Sequence, residues 1–192
     1  VELSSKELNK GLELVEDAES QRALSWALLA ALMREGKNDD ALELISSLNI
    51  AQTNRMGLII ELILSESPGE GWSNLIHRME TEIGKFSDDD LLLMLETESL
   101  PVHLRALAGK EVQERESFVS ADLDTLALDV FTQAGDAIQI GTILMKIDDG
   151  ATTYPHRTIL VYHLLPGNAD AKLSEWVEEA RPKAIEVLAK ES

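Results

Sequence analysis

An all-α fold of about twelve helices, paired into about five antiparallel hairpins, is what this 192-residue sequence predicts. Three observations lead there. Apolar residues recur at helical spacing almost throughout, as in Leu8, Leu12 and Val15, or Leu24, Leu28, Ala31 and Leu32. Aromatic residues are only 4% of the chain, too few for the aromatic and β-branched runs of an all-β sandwich. Helix breaks fall on a ladder with a period of about 33 residues, at Gly36, Gly69, Val102 (beside Leu100-Pro101), Gly135 and Asn168 (beside Gly167). A hairpin with apolar residues on both sides of its helices must stack on neighbours to hide them.

Each element follows from its start and stop signals. The Leu8, Leu12, Val15 stripe sets a first helix over 4–17, and Ser20 opens a second over 19–35 that Gly36 ends. Asn38-Asp39-Asp40 opens the third, 38–48; their short polar side chains cap free N–H groups, and the carboxylates complement the positive end of the helix dipole. The apolar run Gly57–Ile60 lies in the fourth, 52–66, which Pro68-Gly69 separates from the fifth, 70–84. Ser87-Asp88-Asp89-Asp90 opens the sixth, 87–97, and Leu100-Pro101 divides it from the seventh, 101–116. Asp122 and Asp124 open the eighth, 122–134; Gly135 ends it and the ninth runs over 136–148 to Asp149-Gly150. The tenth, 154–165, contains Thr158–Tyr162, which has strand propensity but no second strand to pair with, so it reads as helix. Asn168 and Asp170 open the eleventh, 169–180, and Pro182 kinks or restarts the chain into a twelfth, 182–190. The expected organisation is one helical-repeat domain over 1–192, with a capping helix in 1–18, hairpins over 19–180 and a second cap in 181–192.

Charge narrows the partners. Asp and Glu total 35 against 17 Lys and Arg, a net charge of −18. The basic residues are scattered singly, so no stripe exists to hold a phosphate backbone or an anionic membrane. Between Asp88 and Asp129 there are eleven acidic and three basic residues. Such an excess confers solubility, serves in salty surroundings, or steers a basic partner. The strongest apolar runs, Gly57–Ile60 and Leu91–Leu95, fall far short of the ~20 residues that span a bilayer. Val1-Glu2-Leu3-Ser4 shows no leader pattern, and a cytoplasmic location is expected, with an upstream segment left open by the missing initiator methionine.

Segment 24–48 laid on 123–147 matches Leu29 with Leu128, Leu32 with Phe131, Gly36 with Gly135, Leu44 with Ile143, Ile45 with Leu144 and Leu48 with Ile147. The stretch 25–45, with Gly36 between two helices and Ala41 five positions later, resembles a tetratricopeptide or pentatricopeptide hairpin. The second unit keeps Gly135 but has Ile140 in place of the alanine. The resemblance implies a right-handed α-solenoid whose concave face is lined by the first helix of each pair. Carried onto the Gly36 unit, that face includes Trp26 and Arg34; on the Gly135 unit it includes Asp122, Thr125, Asp129 and Gln133. Tyr162 is a further candidate for a groove position.

No catalytic constellation emerges. The chain has no cysteine, hence no thiolate zinc site and no thiol nucleophile. His156 and His163, seven apart on a helix, stand two turns from each other, too far to clasp one metal ion unaided. Asp88-Asp89-Asp90, Asp122 with Asp124, and Asp148 with Asp149 sit at helix ends, where capping accounts for them. No cofactor and no metal are expected. The expected function is a non-catalytic interaction module that holds a protein or peptide, through a basic or polar segment, on an acidic concave surface. Two alternatives stand beside it: a helical subdomain of a larger enzyme or regulator, and a single-stranded RNA-binding repeat, which the negative charge disfavours.

Overall fold

The computed structural model describes residues 3–48, 52–65, 70–115 and 121–191. All regular structure among these residues is helical: twelve helices and one 3₁₀ turn, with no strand. The chain divides into two compact units, Val1–Leu100 and Pro101–Ser192.

In the first unit, local hydrogen bonds set the helix ends. Helix α1 (Ser5–Leu14) opens with a capping box: the Glu7 N–H donates to Ser4 Oγ at 3.4 Å, and the Ser4 N–H donates back to Glu7 Oε2 at 2.9 Å. Helix α2 (Ala18–Arg34) is capped by Asp17, whose carboxylate accepts the Ser20 N–H at 2.8 Å. Ser20, expected to open this helix, thus lies within its first turn, because the carboxylate upstream also complements the helix dipole. Gly36, at φ 68°, turns the chain into α3 (Asn38–Ser47). Its N–H reaches the Met33 carbonyl (3.2 Å) and the Lys37 N–H the Leu32 carbonyl (2.9 Å), the paired bonds of a Schellman turn. Next come α4 (Gln52–Ser65), α5 (Glu70–Glu82, followed by the 3₁₀ turn Ile83–Lys85) and α6 (Asp88–Glu96). Ser87 caps α6 in a second capping box, with Asp90 as its partner. The break expected at Pro68-Gly69 lies outside the described residues.

Packing in this unit runs mainly between chain neighbours: α1 on α2, α2 on α3, α3 on α4 and α5, and α4 on α6. Leu29, Ala41, Ile45, Leu62, Ile63, Leu75, Leu91 and Met94 are almost wholly buried. Each large side chain among them contributes about 1.5–3 kcal/mol on transfer from water.

The second unit comprises α7 (Val102–Glu114), α8 (Ala121–Ala134), α9 (Ala137–Lys146), α10 (Gly150–Thr153), α11 (Pro155–Leu164) and α12 (Ala171–Glu191). Its core joins Ala127, Leu128 and Phe131 of α8 to Ile140, Ile143 and Leu144 of α9, with Val161 of α11 and Leu173 and Val177 of α12. The turn between α8 and α9 repeats the first one. Gly135 has φ 70°, its N–H meets the Thr132 carbonyl (3.3 Å), and the Asp136 N–H meets the Phe131 carbonyl (3.0 Å). The two hairpins also bury the same positions: Leu29 and Leu128, Leu32 and Phe131, Ala41 and Ile140, Ile45 and Leu144.

Two expectations need correction. The expected stop at Asp149-Gly150 leads at once into a further element, the one-turn helix α10, entered through Asp149 in the left-handed region at φ 54°. A Cβ on Gly150 would run into the Leu144 carbonyl, so the tight backbone approach there requires glycine. The last two expected helices are one, since α12 runs through Pro182 without a break. A proline inside a helix removes a hydrogen bond and crowds the preceding turn at a cost of about 3 kcal/mol. Buried Leu173, Val177 and Ala180 before it and Ala184 after it hold the helix together across that fault. Thr158–Tyr162, the one strand-like stretch, is helical within α11.

Candidate functional site

One concavity of the first unit is a cleft of about 690 Å³ on the surface of α2, α4 and α6. Helical periodicity builds it. On α6, Asp89, Leu92, Leu93 and Glu96 follow one another at steps of three, one and three, so all four share one face. The opposite side of that helix, with Leu91, Met94 and Leu95, is buried in the core. On α4, Gly57, Leu58 and Glu61 face the same space, with Glu61 one turn beyond Gly57. Trp26 of α2, half-buried, completes the lining.

The chemistry of this lining is divided. Trp26, Leu58, Leu92 and Leu93 form an apolar floor, while Glu61, Asp89 and Glu96 are exposed carboxylates. No described residue forms an ion pair with any of the three, and the described residues of the lining include no cation. Gly57 has an unusual place. Glycine inside a helix costs about 1 kcal/mol relative to alanine. It lacks the positive φ of Gly36 and Gly135, and a Cβ added there would meet nothing within 4 Å.

Of the residues expected on a concave face, Trp26 therefore lines this cleft. Arg34 lies at the far end of the same helix, exposed, and donates from Nη2 to the Leu3 carbonyl at 3.3 Å, which ties the segment before α1 to α2. In the second unit, Asp122, Thr125, Asp129 and Gln133 follow steps of three, four and four along α8. Asp122, Thr125 and Gln133 are exposed. Asp129 is half-buried and carries an ion pair with Arg157 of α11, whose guanidinium also lies 5.0 Å from the Tyr154 ring centroid. Alongside, Asp124 accepts a hydrogen bond from Gln113 of α7 (2.8 Å), whose Oε1 in turn accepts from Lys146 of α9 (3.0 Å). Tyr162 lines a smaller cleft of about 380 Å³ with Ile159, Ile185 and Leu188. Arg181 engages it twice: the guanidinium lies 3.8 Å from the ring centroid, and Nη1 donates to the hydroxyl at 2.8 Å.

The contributions of α4 and α6 were missed in the sequence. Their apolar runs Gly57–Ile60 and Leu91–Leu95 are visible there, but a run does not say which of its members meets a neighbouring helix. The available signal was Gly57, a glycine inside a helix with no break to make. Among the described residues no three His, Asp or Glu side chains converge as a metal site would require, and no helix is long and apolar enough to cross a membrane. Comparison with family models, with curated proteins and with solved structures yields no match.

Proposed function

We propose that this chain is a non-catalytic interaction module that holds a protein or peptide segment on an acidic helical surface. The observation that carries this reading is the cleft over Trp26, where an apolar floor is bordered by Glu61, Asp89 and Glu96 with no cation among the described lining residues. An uncompensated carboxylate border beside apolar surface is complementary to a segment that presents both apolar and basic side chains.

The fold supplies a second line of support. Helices that pack chiefly on their chain neighbours, together with two hairpins that share turn geometry and buried positions 99 residues apart, fit a stack of tetratricopeptide-like hairpins. In such a stack the surface is built by repetition, and binding specificity resides in side chains displayed on it. Within that reading the α8 face of Asp122, Thr125, Asp129 and Gln133 is an additional polar display, with Asp129 held in place by Arg157.

Selection from a random peptide library displayed on phage tests the proposal. Binders enriched on the whole protein should combine Leu, Ile or Phe with Lys or Arg. Most should lose binding by at least about tenfold against a Glu61→Lys, Asp89→Lys double variant. Enrichment of no sequence, or of sequences indifferent to both substitutions, would overturn the reading.

A further inference from the structure

Gly57 is a glycine that the free protein does not explain. It sits within α4, has no left-handed backbone, and faces open space where a Cβ would touch nothing. The open space is the cleft itself. Glycine has no side chain to stand in the way, so it permits another backbone or a ligand to approach closely. We infer that Gly57 is the contact point at which a basic amphipathic helix from another protein lies against α4 and α6. This inference rests on the reading of the chain as an interaction module.

Three features define the occupant. First, the groove walls are helices, and a third helix seats against such walls at an interaxial distance of about 8–10 Å, closest where the side chains at the crossing are small. Gly57 makes that place. Second, the apolar floor of Trp26, Leu58, Leu92 and Leu93 calls for a large apolar side chain. Third, Asp89 and Glu96 are seven residues apart on one helix face, about 10 Å along its axis. A partner helix with Lys or Arg a heptad apart, flanking its apolar anchor, presents cations at the same separation. Glu61, a turn beyond Gly57, faces the same stripe from the opposite wall. A second copy of this chain is a poor occupant, because it brings the same net charge of −18.

The probe is a synthetic amphipathic peptide of about 18 residues, long enough to hold a helix against a groove, with Leu on one face and Lys on both flanks. A sister peptide carries Glu in place of Lys. Binding to the whole protein is read by fluorescence anisotropy, and stability of each variant by urea unfolding. The Lys peptide should bind saturably and the Glu peptide should not. Gly57→Leu should weaken the Lys peptide by at least about tenfold without lowering the urea midpoint. Gly57→Ala, the smaller filling, should weaken it less and raise that midpoint. Undiminished binding to Gly57→Leu, with sensitivity to Glu61→Gln and Asp89→Asn retained, overturns the role of Gly57 and leaves the interaction module standing. Equal binding of both peptides, or none at millimolar peptide, overturns the basic helix as occupant; the module is then judged by the library selection. A dimer seen by sedimentation in the wild type and lost in Gly57→Leu assigns the cleft to a second copy and overturns the inference.

Discussion

At the scale of single residues, Glu35 at the end of α2 is held by three hydrogen bonds. Its carboxylate accepts from Lys37 Nζ at 2.7 Å, from the Ser5 hydroxyl at 2.6 Å and from the Ser5 N–H at 2.7 Å. The Lys37 bond, then the two Ser5 bonds, lower its pKa from 4.5 to about 2. These contacts join the start of α1 to the turn between α2 and α3. A depressed carboxylate pKa favours the folded chain above the unfolded value, and that contribution disappears as pH falls through the folded value. The part of the urea midpoint that Glu35 contributes should therefore hold above pH 4.5 and be lost as the pH is taken toward 2. Glu35→Gln should be less stable at neutral pH, and its midpoint should fall less steeply across that interval. An identical pH profile in the two proteins would show that Glu35 does not couple α1 to the turn.

At the scale of the element, α12 offers the sharpest test. Pro182 is exposed, so its removal costs little packing, while the native helix bears its missing hydrogen bond and its crowding. Pro182→Ala should stabilise the protein by up to about 3 kcal/mol, seen as a higher urea midpoint at unchanged slope. No gain would mean that the helix accommodates the ring without strain. This helix also marks where sequence reasoning reached its limit. Starts and stops were legible at Ser87 with Asp90, at Gly36 and at Gly135, which all act within a few residues of themselves, whereas Asn38, expected to cap α3, lies inside it and no side chain caps that helix. Pro182 signals a break just as locally, but Leu173, Val177 and Ala184 override it by packing on other helices. The candidate site divides in the same way. Trp26 could be singled out because tryptophan is conspicuous, whereas Leu92, Leu93 and Glu61 acquire meaning only when α4 and α6 come together. Asp129 was legible as a polar position on α8, but its partner Arg157 is 28 residues away.

At the scale of the whole molecule, charge is the dominant property, and it is uneven. Residues 1–100 carry twenty acidic and eight basic side chains, a net −12, and residues 101–192 carry fifteen and nine, a net −6. The unit that contains the cleft thus holds two thirds of the excess. Self-repulsion of like charges opposes the folded state, and added salt screens it over a Debye length of about 10 Å at 0.1 M. The same screening weakens attraction between the carboxylates of the cleft and a cationic partner. Folding and binding should consequently respond to salt with opposite sign. Between about 0.02 and 0.5 M sodium chloride the thermal midpoint should rise, while affinity for the Lys-bearing peptide should fall by an order of magnitude or more. A fold whose acidity serves only for solvation would show the first response without the second. Titrating peptide and following thermal unfolding over the same salt series separates a charge excess that merely keeps the chain in solution from one that draws a basic helix to α4 and α6.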